Sequence, residues 1–176
     1  RFACLTAYDA SFTALMERAG VDVLLVGDSL GMVIHGQATT LPVTVADIVY
    51  HSRCVARARH RAMLMADMPF MSYTSVPQAL GNAARLMQEG GAQIVKLEGG
   101  AEQLDVVAAL AAHGVPVCAH LGLQPQSVHK LGGYQVQGGG AAQAAAIVDE
   151  AMALEAAGAD VLLLEAVPAR VTEAVM

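Results

Sequence analysis

The 176-residue sequence predicts an α/β fold built on a parallel sheet, and three observations carry the prediction. ERAGVDVLLVGD (17–28), QEGGAQIVKLEG (88–99), AAHGVPVCAHLG (111–122) and EAAGADVLLLEA (155–166) repeat one pattern. Each passes from a helix-like end through a glycine suited to a left-handed cap into a β-branched or leucine-rich run, and then meets a polar residue. The runs are apolar at successive positions, as in strands covered on both faces. Helix-compatible stretches separate them, which supplies the crossovers that parallel strands need.

In chain order, RFACLTAYD (1–9) opens as a strand and a helix follows over 11–19. After the first repeat come a helix over 45–59 and a strand in RAMLMADMP (61–69), which lacks the glycine joint. A helix over 77–89 leads into the second repeat, and an alanine-rich helix over 101–112 into the third. KLGGYQVQGGGAAQ (130–143) predicts a long glycine-rich loop, of the kind that often serves as a lid. An alanine-rich helix over 143–157, the last strand and the helix-like PARVTEAVM close the chain. Six strands fit either an open doubly wound sheet or a (βα)8 barrel with two units missing, since such barrels usually take about 250 residues. Both ends look cut, which favours a single barrel domain over 1–176 that is incomplete at both ends. TAYDASF after the first strand is no dinucleotide fingerprint, and no GxxxxGK[ST] occurs.

Composition excludes several partners. With a formal charge of -6 and no basic run, the chain offers nothing to a phosphate backbone, so no nucleic acid is expected. Apolar stretches are strand-sized and no leader opens the sequence, so no membrane is expected and a cytoplasmic protein is. Cys4, Cys54 and Cys118 lack the spacing of a disulfide framework or zinc knuckle and read as free buried thiols.

Parallel strands place their C-terminal ends on one side, where ligands bind. Asp9, Asp28, Asp67, Glu98, His120 and Glu165 fall at those ends, with Lys96 two positions before Glu98. Asp28, Asp67 and Glu98 are hard oxygen donors and favour magnesium, although any single one is as readily a helix N-cap. Lys96 suits an anion anchor, a carboxylate partner or a Schiff base; acids close by keep it protonated and favour the anchor. Glu165 ends an apolar strand, where partial burial would raise its pKa toward that of a useful base, or it is a structural acid paired with an arginine. His120 could bond a substrate oxygen or be satisfied by backbone. His35, His51, His60, His113 and His129 fall on helices or loops, where solvated surface roles are the default.

Together and in this order, VGDSLGM, TLPVTVADIVYH, MADMPFMSY, VKLEGG, HLGLQPQSVHKLGGYQVQG and LLEAVP closely resemble the ketopantoate hydroxymethyltransferase family over essentially the whole chain. The resemblance implies a (βα)8 barrel of the phosphoenolpyruvate/pyruvate superfamily, a magnesium ion and a homodecamer. It implies transfer of a hydroxymethyl group from 5,10-methylenetetrahydrofolate to 3-methyl-2-oxobutanoate, giving 2-dehydropantoate through a magnesium-stabilised enolate. Carried over by motif, Asp28 and Asp67 are metal-associated and near substrate, Ser29 touches substrate, Lys96 lies on the substrate and Glu98 near the metal. His120 lines the site, and Glu165 matches the proton-abstracting base. Gly138–Gly140 stands where the family more often has a basic residue, and the family's N-terminal helix and last two strands are absent. The alternatives are an isocitrate-lyase-like enzyme of the same superfamily, or an inactive truncated component of an assembly.

Overall fold

The computed structural model describes residues 2–176 and divides into two compact units, one ending at Lys96 and the other spanning Leu97–Met176. In the first unit the order is β1 (Cys4–Thr6), α1 (Ala10–Arg18), β2 (Val23–Val26), α2 (Leu30–Val33), α3 (Val45–Ala58), β3 (Met63–Asp67), α4 (Val76–Gln88) and β4 (Ile94–Glu98), whose last two residues open the second. β1, β2, β3 and β4 pair in parallel in chain order.

Side chains alternate across a strand, so the register sorts them by face. Thr6, Leu25, Met65 and Ile94 share one row, and Asp67 opposite Lys96 continues that face one step nearer the strand ends. The other face carries Leu24, Val26, Leu64, Ala66 and Val95, all fully buried. α3 covers β2 and β3, bringing Ile48 and Val55 into the core. Each such aliphatic side chain contributes about 1.5–3 kcal/mol on burial.

The helices start where their caps dictate. Asp9 accepts the Phe12 N–H at 2.9 Å and so begins α1. Thr44 and Asp47 form a reciprocal capping box on α3: the Asp47 N–H donates to Thr44 Oγ1, and the Thr44 N–H donates to Asp47 Oδ2. Asp9 is thus a cap rather than a ligand candidate.

In the second unit a 3-10 turn (Ala101–Gln103) precedes α5 (Leu104–Ala112), β5 (Val117–Gly122), α6 (Val128–Leu131), α7 (Ala141–Ala157), β6 (Val161–Glu165) and α8 (Ala169–Val175). β5 and β6 are parallel, with Gly122 opposite Glu165 and His120 opposite Leu163. The joint glycines Gly20, Gly91, Gly114 and Gly158 all have positive φ, from +77° to +109°, as the repeated pattern predicts.

Several details differ from the sequence reading. The helix expected from 101 opens as 3-10, and α2 and α6 are four-residue helices too short to show a period. Cys118 is buried, but Cys54 is only partly so, and Cys4 is exposed, because all of β1 is. His51 is half-buried and bonded to backbone rather than solvated on the surface. The glycine-rich loop is fastened at its far end: the Gln137 N–H donates to the Ala166 carbonyl at 2.9 Å, and Arg170 reaches the Gly139 carbonyl at 2.7 Å. Among the described residues no helix is long and apolar enough to cross a membrane.

Candidate active site

In the first unit the strand ends gather Asp28, Asp67 and Lys96, all buried. Asp67 and Lys96 are register partners on neighbouring strands, so their side chains leave the same face and meet. Lys96 Nζ donates to Asp67 Oδ1 at 2.6 Å, and the Asp28 backbone N–H donates to Asp67 Oδ2 at 2.9 Å. Gly27 follows β2 beside Asp67, and a Cβ there would stand 3.4 Å from Asp67 Oδ2 and 3.1 Å from Ser29 Oγ. The missing side chain gives the carboxylate room to lean across to β2.

Ser29 begins α2, and its Oγ lies 2.7 Å from the Tyr8 hydroxyl. His51, from the middle of α3, donates through Nδ1 to the Tyr8 carbonyl at 2.8 Å. Tyr8 and His51 are the residues of this cluster that sequence reasoning missed. For Tyr8 a signal was present in its place two residues past the end of β1, beside Asp9; for His51, inside α3, there was none.

The second unit holds Glu98, His120 and Glu165. His120 is buried, with Nδ1 3.6 Å from Glu98 Oε1 and Nε2 3.4 Å from Glu165 Oε2. A proton on either ring nitrogen therefore faces a carboxylate. The Gln126 N–H donates to Glu98 Oε2 at 3.0 Å, a contact made by the turn after β5 that no residue pattern announced. The Glu165 side chain is 43% exposed, so it combines a buried neighbour with access to solvent. Its backbone is held closely: the Leu123 N–H donates to the Glu165 carbonyl at 2.8 Å, and a Cβ on Gly122 (φ +90°) would overlap that oxygen.

The donor set allows a test of whether a divalent cation suits the first unit. Two buried carboxylates beside one ammonium leave a formal charge of about one negative unit, and both are hard oxygen ligands. Among the described residues no three His, Cys, Asp or Glu side chains converge as a metal cluster. Magnesium is commonly held by one or two carboxylates, with waters and substrate completing the octahedron. Asp28 and Asp67 fit that manner of binding.

Comparison with solved structures defines the class first. The fold matches phosphonopyruvate hydrolase, solved in complex with oxalate and Mg++, with a TM-score of 0.71 at 16% identity over 94% of this chain and 58% of that one. It also matches 2,3-dimethylmalate lyase, a PEP mutase/isocitrate lyase superfamily member, with a TM-score of 0.69 at 18% identity over 98% of this chain and 60% of that one. The chain therefore shares the α/β fold of these structures, with six parallel strands alternating with helices.

Sequence comparison narrows the class. The ketopantoate hydroxymethyltransferase family profile matches residues 1–176. The chain is 67% identical over 167 residues to 3-methyl-2-oxobutanoate hydroxymethyltransferase of Halorhodospira halophila (strain DSM 244 / SL1), covering 95% of this chain and 61% of the relative. Against the protein of the same name from Shewanella loihica (strain ATCC BAA-1088 / PV-4) it is 58% identical over 175 residues, covering 99% and 66% respectively. The chain belongs to the ketopantoate hydroxymethyltransferase family. It spans roughly three fifths of the length of these curated relatives.

Proposed function

We propose that the protein transfers a hydroxymethyl group from 5,10-methylenetetrahydrofolate to 3-methyl-2-oxobutanoate, giving 2-dehydropantoate. The observation that carries this reading is the buried Asp28–Asp67–Lys96 group at the strand ends of a chain 58% to 67% identical to proteins of that name. The same identity favours it over an isocitrate-lyase-like activity.

Each cluster has a task. Asp28 and Asp67 are proposed to hold magnesium, which when bound would supply Lewis acidity toward the oxoacid. Phosphonopyruvate hydrolase, which shares the fold, was solved with oxalate and Mg++. Glu98 is proposed to be metal-associated, as in the family motif. Lys96 holds a substrate oxygen with its ammonium, and Ser29 donates to the substrate. Glu165 removes the proton at C3, leaving an enolate whose C3 attacks the methylene carbon as one of its two C–N bonds to the folate breaks; water then replaces the second nitrogen, giving the hydroxymethyl group and releasing tetrahydrofolate. His120, lying beside Glu165, orients it and bonds the substrate. In the cell we propose a cytoplasmic homo-oligomer, a decamer as the family resemblance implies.

The test supplies full-length protein with both substrates and magnesium and follows 2-dehydropantoate by mass spectrometry, with isocitrate-type acids offered in parallel. Transfer is expected. Cleavage of an isocitrate-type acid without transfer would overturn the reading. Light scattering of the same sample checks the assembly, and a monomer would overturn that part.

A further inference from the structure

We propose that Tyr8 is a positioning residue for the oxoacid: its phenol fixes the hydroxyl of Ser29, and His51 in turn fixes Tyr8. The inference rests on the functional reading above, in which Ser29 touches substrate, and deepens it.

A serine hydroxyl on a strand-to-helix turn can take three staggered rotamers. Here two neighbours restrict it. Ser29 Oγ lies over the bare Cα of Gly27, where a Cβ would come within 3.1 Å, and it shares a 2.7 Å hydrogen bond with the Tyr8 phenol. The phenol is the more acidic hydroxyl and so the better donor. With Tyr8 donating, Ser29 Oγ accepts and keeps its own hydrogen for an anionic oxygen of the ligand. Tyr8 removed from this pair would leave the serine hydrogen free to turn.

Tyr8 is itself held from three sides. The N–H of its neighbour Ala7 donates to the Leu25 carbonyl at 3.0 Å, which ties the end of β1 to β2. A carbonyl only accepts, so His51 Nδ1 carries the proton in its 2.8 Å bond to the Tyr8 carbonyl. The His51 ring stands edge-on to Tyr8 at 6.3 Å between centroids, and edge-on to Tyr50 at 5.2 Å. Edge-to-face contacts of this kind set ring orientation as well as adding packing. His51 thus acts on the serine through the tyrosine and touches no substrate.

A double-mutant cycle tests the coupling, because residues acting through one another give losses that do not add. Full-length parent, Tyr8→Phe, Ser29→Ala and the double variant are compared for 3-methyl-2-oxobutanoate affinity by calorimetry and for C3 deuterium exchange at saturating oxoacid. Phe keeps the ring and its packing against His51. Tyr8→Phe is expected to weaken oxoacid binding about three- to tenfold, the range for one hydrogen bond, with exchange at saturation within about twofold of the parent. In the Ser29→Ala background the same change should alter affinity by less than about twofold. Parent-like affinity in Tyr8→Phe, or losses that multiply in the double variant, would overturn the proposal alone. A parent that neither binds nor exchanges the oxoacid would overturn the functional reading, and this role with it.

Discussion

Lys96 and Asp67 face each other across β4 and β3 as register partners, and their side chains meet at 2.6 Å with about 5% and 3% of each exposed. Desolvating two charges costs much of what their attraction returns, so the pair is weak evidence for stability as such. Losing one member alone is a different matter, because the other charge stays buried.

Lys96→Met leaves Asp67 buried beside Asp28 with its cation gone. Breaking a buried pair typically costs about 3–5 kcal/mol. Urea unfolding should show a loss of that order, and Lys96→Met/Asp67→Leu should be more stable than Lys96→Met alone. An unchanged midpoint in the single variant would show that the pair is solvated in solution.

Magnesium should bind through Asp28 and Asp67. Calorimetric titration of the full-length protein with magnesium, in the presence of oxoacid, should give a binding signal that Asp28→Ala/Asp67→Ala abolishes. Activity should be lost in chelator and return on adding magnesium. Full activity in chelator would refute the metal role.

The α3 capping box makes a pH prediction with a definite sign. The Thr44 hydroxyl donates to Asp47 Oδ2 at 2.6 Å and, with the Thr44 N–H, holds the Asp47 carboxyl below its ordinary value. A carboxyl depressed in the folded state stabilises above its unfolded pKa, about 3.9, and loses that contribution as pH falls through the lower folded value. Asp47→Asn should therefore cost about 0.5 kcal/mol near pH 7, small because the group is largely solvated. Thermal melts of parent and variant should converge as pH falls below about 4. A constant gap down to pH 2.5 would assign the effect to packing rather than charge.

The strands and their order were legible because each of the four joints repeats helix end, glycine and apolar run, and the backbone at Gly20, Gly91, Gly114 and Gly158 uses the left-handed conformation that the pattern implies. Asp28, Asp67 and Lys96 were legible as chemistry because polar groups end otherwise dry strands. Their mutual bonds were not, since Asp67 meeting Lys96 depends on the β3–β4 register, which no local pattern encodes. Tyr8 and His51 were missed for a related reason. Their contact joins residues 43 positions apart through a backbone carbonyl, and a histidine inside a helix reads as solvated unless its neighbours are known.

Glu165 is expected to be the base. It ends β6 two register rows beyond the Leu163–His120 pair, on the same face, with its carboxylate 3.4 Å from His120 Nε2 and its backbone clamped by the Leu123 N–H. The clamp restricts the strand while the carboxylate keeps access to solvent, which a group that must exchange protons requires. The proton at C3 has to leave before a carbon–carbon bond can form, so this half-reaction should proceed without the folate. With full-length protein, magnesium and 3-methyl-2-oxobutanoate in deuterated water, the C3 proton signal should disappear from the NMR spectrum. Glu165→Gln retains the shape and removes the basicity, and losses of a general base are typically about 10²–10⁴-fold. Exchange should fall by that order while calorimetry still reports oxoacid binding. Gly122→Ala, whose Cβ would press on the Glu165 carbonyl, should lower exchange by displacing the same carboxylate. Exchange at the parent rate in Glu165→Gln would make Glu165 structural and move the base to another strand end.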